Sequence, residues 1–227
     1  MVSGMYTWMI QMLNRMKYQD GRCLPINNER MVNHFIMSKF RLNDRITMKD
    51  IVREGDDILH QPTEEVRLPL STEDKETLIC MMNFLKNSQD PAIAQKYKLR
   101  PGVGLSANQI GLNKRMFVAY LTDEKGNQHE YTLINPKIIS HSVSMIYLPP
   151  SEGCLSVDRE IKGFVPRYER IKVKGVNLDG EEVVIKLSGY GSIVLQHEID
   201  HLDGKMFYER INKDNPFKLP ENCRSLY

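Results

Sequence analysis

In "LSTEDKETLICMMNFLKNSQD" the apolar Leu78, Ile79, Met82 and Leu85 recur at the spacing that gathers side chains on one face of a helix. Ser71 stands where an N-cap is needed, and Asp74 three residues on makes a variant of the capping box. A helix is therefore predicted over 72–88. Asp90-Pro91 caps and opens a second, short helix through about Tyr97. Farther along, the period drops to two. "RMFVAYL" (115–121) and "EYTLINP" (130–136) read as strands on either side of the turn-rich "TDEKGN", and "KIISHSV" (137–143) reads as another. "RIKVKGVNLDGEEVVIKL" gives two alternating strands about Asp179-Gly180, a strong hairpin signal. A last helix runs from about Gly191 to Asp203 and stops at Gly204 in the C′ position. Ahead of them all, "ITMKDIVREG" reads as a short first strand or a turn closed by Gly55. This order implies an α+β fold, with antiparallel sheets wrapped around a central helix that carries an HExxH motif.

Composition narrows the picture. A chain of 227 residues can bury one sizeable core, so one domain with an appendage is expected. A formal charge of +2 gives no global case for a nucleic-acid or membrane partner, and no apolar run approaches the ~18–20 residues of a membrane helix. Cys23, Cys80, Cys154 and Cys223 follow no framework spacing and read as thiols of a reducing, cytoplasmic compartment. Residues 1–45 differ from the rest, with Met1, Met5, Met9, Met12, Met16, Met31 and Met37 crowding a stretch without steady alternation. They are read as an extension of unknown role, dispensable or preceding a misplaced start, with a transit peptide as the alternative. Residues 46–227 are read as the catalytic domain.

The chemistry lies in "VLQHEIDHLDG" (194–204). A helix turns about 100° per residue, so His197 and His201 share one face a turn apart and can reach one ion. Glu198 sits beside them without needing to be a ligand. Two ordinary histidines on an interior helix are the plain alternative, but the helical context and the terminal glycine favour a metal. A catalytic site wants a third protein ligand. A metzincin-type site would place a histidine at 207, where Phe207 stands. Glu221 lies at the distance of a thermolysin-like ligand, but "NPFKLPENC" holds two prolines and no helical period. Cys154 in "PPSEGCLSVD" is the other candidate, since a thiolate suits zinc or ferrous iron, although a lone cysteine is more often a small buried hydrophobe.

"GVGLSANQ" (102–109), "EGCLS" (152–156) and "QHEIDH" (196–201), in that order, resemble the peptide deformylases over about residues 46–215. The spacing of "KNSQDPAIAQKYKLRPGVG" is similar to the longer form found in Gram-positive bacteria. Ser106 and Asn108 depart from the alanine, and from the proline or threonine, usual in the family. The resemblance implies removal of the formyl group from the N-terminal formylmethionine of nascent polypeptides, releasing formate. It implies Cys154, His197 and His201 as ligands of one divalent ion, natively Fe2+, with Zn2+, Ni2+ or Co2+ able to substitute. Gln109 and the Leu155 N–H would stabilise the oxyanion, and Glu198 would be the general acid/base. Gly102, Val103, Gly104 and Gly153 would bind the peptide backbone, and Val103, Tyr190, Ile193 and Val194 the methionine side chain. Glu152 and Arg167 would pair behind the cysteine strand. Partners implied are N-formylmethionyl peptides and nascent chains, with a transient ribosome contact and a monomeric state. A zinc endopeptidase using Glu221 and a non-catalytic binder are the competing readings.

Overall fold

The computed structural model describes residues 40–123 and 125–227. The extension reading, for residues 1–39, lies outside them. Residues 40–45, grouped with that extension on sequence, pack with the rest. Phe40 is buried in the main core, and Arg45 lies over the Tyr97 ring at 4.0 Å.

Helix α1 (Thr72–Gln89) starts as its cap predicts, with the Asp74 N–H donating to Ser71 Oγ at 3.1 Å. Asp90 then caps α2 (Pro91–Tyr97) through the Ile93 N–H. Five antiparallel strands form the large sheet, in the order β1 (Gly104–Ser106), β2 (Met116–Thr122), β3 (Gln128–His141), β6 (Arg170–Val176) and β7 (Glu182–Ser188). The near-continuous apolar run of β2 is explained by burial on both faces. Met116, Val118 and Tyr120 join the core under α1, whereas Phe117, Ala119 and Leu121 join the core around α3 (Gly189–Leu202).

One expectation changes. Strands 130–136 and 137–143 are one strand, β3, which ends at His141. Asn135 takes a positive φ of 51°, and register shifts between Ile134 and Lys137 and between Ile138 and Ser140 carry the chain past Pro136. The strand bends there instead of ending, because Asn tolerates the left-handed region and a bulge absorbs the unpaired residue. The segment at 46–55 takes the second of its two readings, turns closed by Gly55, whose φ is 96°. Its backbone bridges two loops of the site, with the Val52 N–H donating to the Gln109 carbonyl and the Glu54 N–H to the Ser156 carbonyl.

A second sheet has the order β5 (Arg167–Tyr168), β4 (Met145–Tyr147), β8 (Cys223–Ser225), and β4–β8 is parallel. α3 begins at Gly189, two residues before its predicted start, and ends in a Schellman motif. The Gly204 N–H donates to the His201 carbonyl and the Lys205 N–H to that of Asp200. Gly204 has a φ of 70°, and a Cβ there would lie 2.6 Å from the backbone of Gln61, so no other residue fits. No helix among the described residues is long and apolar enough to cross a membrane.

Candidate active site and metal centre

α3 runs through the core with Ile193, Val194, Leu195 and Ile199 buried, and this packing fixes the helix carrying His197 and His201. Their rings lie 4.9 Å apart, edge to face. Across from them, the loop after β4 brings in Cys154, and one ligand atom from each of Cys154, His197 and His201 lies within 4.8 Å of the others. Cys154 Sγ is 3.2 Å from His201 Nε2. Two ligands of one tetrahedral ion, at bonds of about 2.3 Å to sulfur and about 2.0 Å to nitrogen, would stand about 3.5 Å apart. The donor set therefore fits a metal. Burial alone would push the Cys154 thiol up, but His201 and His197 outweigh it and hold the thiol well below its ordinary value. The thiolate, the ligating form, is favoured.

His197 is oriented from behind. Its Nδ1 lies 2.8 Å from Glu152 Oε2, which leaves Nε2 for the ion. Glu152 is held by a fork from Arg167, with Nε to Oε1 and Nη2 to Oε2 both at 2.8 Å. Arg167 also donates from Nη1 to Asp200, which Arg210 grips from the other side. Phe207, at the place of a metzincin's third histidine, stacks on the His197 ring at 5.8 Å.

Gln109 and Glu198 complete the inner wall. The Gln109 carbonyl oxygen accepts from the Ser106 N–H at 2.9 Å, so its amide nitrogen points to Cys154 Sγ at 3.4 Å and to Ser156 Oγ at 3.2 Å. Ser106 donates from Oγ to Glu198 Oε2 at 2.7 Å, and Asn108 Nδ2 donates to the His201 carbonyl at 2.6 Å. Both departures from the family pattern thus bond to the metal-bearing helix. Burial raises the Glu198 carboxyl above its usual range, against the opposing pull of His197, His201 and Ser106.

These groups open on a cavity of about 300 Å³. Residues 48–217 match the model of the family described as polypeptide deformylase. The chain belongs to the polypeptide deformylase family. It is 56% identical over 181 residues to peptide deformylase 2 of Bacillus cereus, covering 80% of this chain and 98% of that one. It is 55% identical over 178 residues to peptide deformylase 2 of Bacillus subtilis, covering 78% and 97%. Among solved structures it is similar to peptide deformylase from Thermus thermophilus, with a TM-score of 0.59 and 34% identity over 73% of this chain and 86% of that one. A Met-Ala-Ser-bound peptide deformylase from Acinetobacter baumannii gives 0.57 and 30% over 71% and 96%. Family and donor set together support one metal ion.

The cavity brings together Gly102, Val103, Gly104, Gln109, Gly153, Cys154, Leu155, Tyr190, Ile193, Val194, His197 and Glu198, and His201 closes the ligand set behind them. Glu221 is exposed on the tail and takes no part in that cluster. Cys80, Cys154 and Cys223 form no disulfide. Sequence reasoning did not find Gln89, Arg100 or Leu148, which also line the cavity, nor Asp200 and Arg210 behind it. No local pattern links Arg167 to Asp200, 33 residues on.

β1 brings Gly104 against Glu198 so closely that a methyl group there would lie 2.1 Å from Oε1 and 2.5 Å from Cδ. Gly104→Ala is therefore expected to displace Glu198 and lower kcat about a hundredfold. In a double-mutant cycle with Glu198→Ala, it should add little further loss of kcat.

Proposed function

We propose that Cys154, His197 and His201 hold one ion, natively Fe2+, and that Glu198, Gln109 and the Leu155 N–H act with it to hydrolyse N-formylmethionyl peptides to formate and a free amine. The observation behind this is the meeting of the Cys154 sulfur and His201 Nε2 at 3.2 Å on the wall of a cavity that Glu198 also lines. A bound ion would polarise water and the formyl oxygen, supplying a nucleophile near neutral pH.

The remaining steps belong to side chains and backbone. Ser106 fixes Oε2 of Glu198, leaving Oε1 to take a proton from the attacking water and pass it to the departing amine. The Gln109 amide and the Leu155 N–H stabilise negative charge as it grows on the formyl oxygen, each donor worth about 3 kcal/mol. The Leu155 N–H suits this role because it donates to no protein acceptor among the described residues.

β1 is the edge strand of the large sheet, with Val103 and Gly104 on the cavity, so a peptide can add there as a further strand. Gly153, where a Cβ would meet nothing within 4 Å, leaves its backbone room, and Gly102 lines the same wall. Val103, Tyr190, Ile193 and Val194 offer the methionine an apolar wall. The A. baumannii relative bound to Met-Ala-Ser supports a peptide of that kind. Action in the cytoplasm with a passing ribosome contact, which a nascent-chain substrate supports, belongs to the same proposal, as does a monomeric state. Zn2+, Ni2+ or Co2+ would fit the same His₂Cys donors.

The test is release of the free amine of Met-Ala-Ser from formyl-Met-Ala-Ser by anaerobically purified protein, beside its release from acetyl-Met-Ala-Ser. Turnover of the formyl peptide, with the acetyl peptide about a hundredfold slower or worse, is expected from a site that admits the formyl hydrogen and excludes a methyl group in its place. Equal rates on both would remove the deformylase specificity.

A further inference from the structure

Two arginines hold the loop of Cys154 from one side. Arg100 donates from Nη2 to the carbonyl oxygens of Cys154 and Val157, both at 3.1 Å, and from Nη1 to Asp158 Oδ1 at 2.6 Å. Arg53 donates from Nη1 to the Leu155 carbonyl at 3.0 Å and pairs through Nε with Asp158 Oδ2 at 3.0 Å. The carbonyl that Arg100 takes belongs to the amide joining Cys154 to Leu155. The N–H at the other end of that same amide has no protein acceptor among the described residues, and Leu155 and Arg100 both line the cavity.

A peptide group is a single conjugated unit, so withdrawing electron density at its oxygen strengthens its N–H as a donor. A guanidinium does this more strongly than a neutral partner, because the bond is charge-assisted. Arg53 acts one amide farther on. The carbonyl it takes is conjugated to the Ser156 N–H, which donates to Cys154 Sγ at 3.4 Å. Successive amides, one facing the cavity and one facing the thiolate, each carry a guanidinium on the opposite end, Arg100 alone on the first and Arg53 on the second, where Arg100 Nη1 also reaches the oxygen at 3.5 Å.

We propose that Arg100 is a positioning residue for deformylation, polarising and orienting the Cys154–Leu155 amide so that the Leu155 N–H binds the formyl oxygen as charge develops on it. This rests on the oxyanion role given above to that N–H. Its rival is a plain staple, in which Arg100 only ties the loop, through the Val157 carbonyl and Asp158, to the chain after α2. The two differ in what they move. A staple acts on folding and metal retention, whereas a polarising contact acts on the donor strength of one N–H and on kcat.

The experiment follows the Leu155 amide proton by NMR in zinc-loaded protein, where the ion is diamagnetic, with and without formate plus Met-Ala-Ser. Kinetics on formyl-Met-Ala-Ser are measured in parallel with iron-loaded protein. In the wild type the resonance should move downfield on adding the products. In Arg100→Gln it should begin upfield and move less, with kcat down about tenfold, KM within about twofold and metal content unchanged. Arg100→Lys, which restores the charge, should recover part of kcat. Asp158→Asn, which loosens the staple and leaves the arginine, should keep the Leu155 shift and kcat near wild type, and it serves if Arg100→Gln does not fold. An unchanged Leu155 response and kcat in Arg100→Gln overturn the proposal and leave the oxyanion role standing. A loss of kcat in Asp158→Asn as large as in Arg100→Gln overturns it in favour of the staple. A Leu155 resonance indifferent to the products in the wild type removes the oxyanion role itself, and the proposal with it.

Discussion

Glu198→Ala is expected to keep its metal and to lose about a thousandfold in kcat on formyl-Met-Ala-Ser, the range that one positioned proton carrier contributes. The two properties separate because Glu198 follows His197 on α3 but belongs to no ligand set. The three ligand atoms converge without it. Its carboxylate is instead wedged between Ser106, which donates to Oε2, and the bare backbone of Gly104 beside Oε1. Such confinement gives one carboxyl oxygen a fixed partner and leaves the other to carry the proton. Burial raises its carboxyl above the usual range, which brings it nearer to the working pH of a proton shuttle. The amine of an amide leaves poorly unless protonated, so the loss should fall on kcat more than on KM. Metal analysis and formate release on the same preparation check the prediction. Undiminished turnover would take Glu198 out of the chemistry, and lost metal would make it part of the coordination.

Elements whose signals are local were legible from sequence. The helix α1 carries its own cap in Ser71 and its own period in Leu78, Met82 and Leu85, and the turn at Asp179-Gly180 fixes the β6–β7 hairpin. β3 was divided because Asn135-Pro136 reads as a stop, whereas the fold absorbs it as a bend, with Asn135 bonded through its side chain to both backbone groups of Val66. The strands β4, β5 and β8 span two or three residues, too few for alternation to register, and the β4–β8 pairing joins Met145 to Cys223. The site divides in the same way. His197 and His201 follow from helical spacing alone. Cys154 needed the motif around it, since no spacing rule links a loop to a helix more than 40 residues on, and the Cys154–His201 contact closes a span of 47. Contacts such as Ser106 to Glu198, 92 residues apart, have no local signature.

Arg167→Met is expected to cost the protein about 3–5 kcal/mol, because it strands buried anions while nearly preserving volume. Arg167 is fully buried, and no isolated guanidinium could be. It is tolerated because Glu152 meets it with two parallel bonds and Asp200 takes its remaining nitrogen. Arg210 remains to pair with Asp200 in the variant, so the uncompensated charge is chiefly that of Glu152. In the wild type, burial would raise Glu152, but Arg167 and then His197 overcome it and hold the carboxyl at about 2, below its ordinary 4.5. A depressed folded value means that the wild type carries this stabilisation above about pH 4.5 and loses it as pH falls toward 2. Without Arg167 the largest pull against burial is lost, so the carboxyl rises and the folded variant binds the proton more readily than the folded wild type does. The gap in Tm between metal-free wild type and variant, about 10 °C at pH 7, should therefore narrow as the pH is lowered through about 4. The same substitution frees Glu152 to swing away from His197 Nδ1, so metal affinity should fall about tenfold to a hundredfold. Thermal melts across pH and a competitive chelator titration read the two effects separately. A pH-independent gap would mean that Glu152 is not the stranded charge, and an unchanged affinity would mean that the carboxylate holds His197 without help from the arginine.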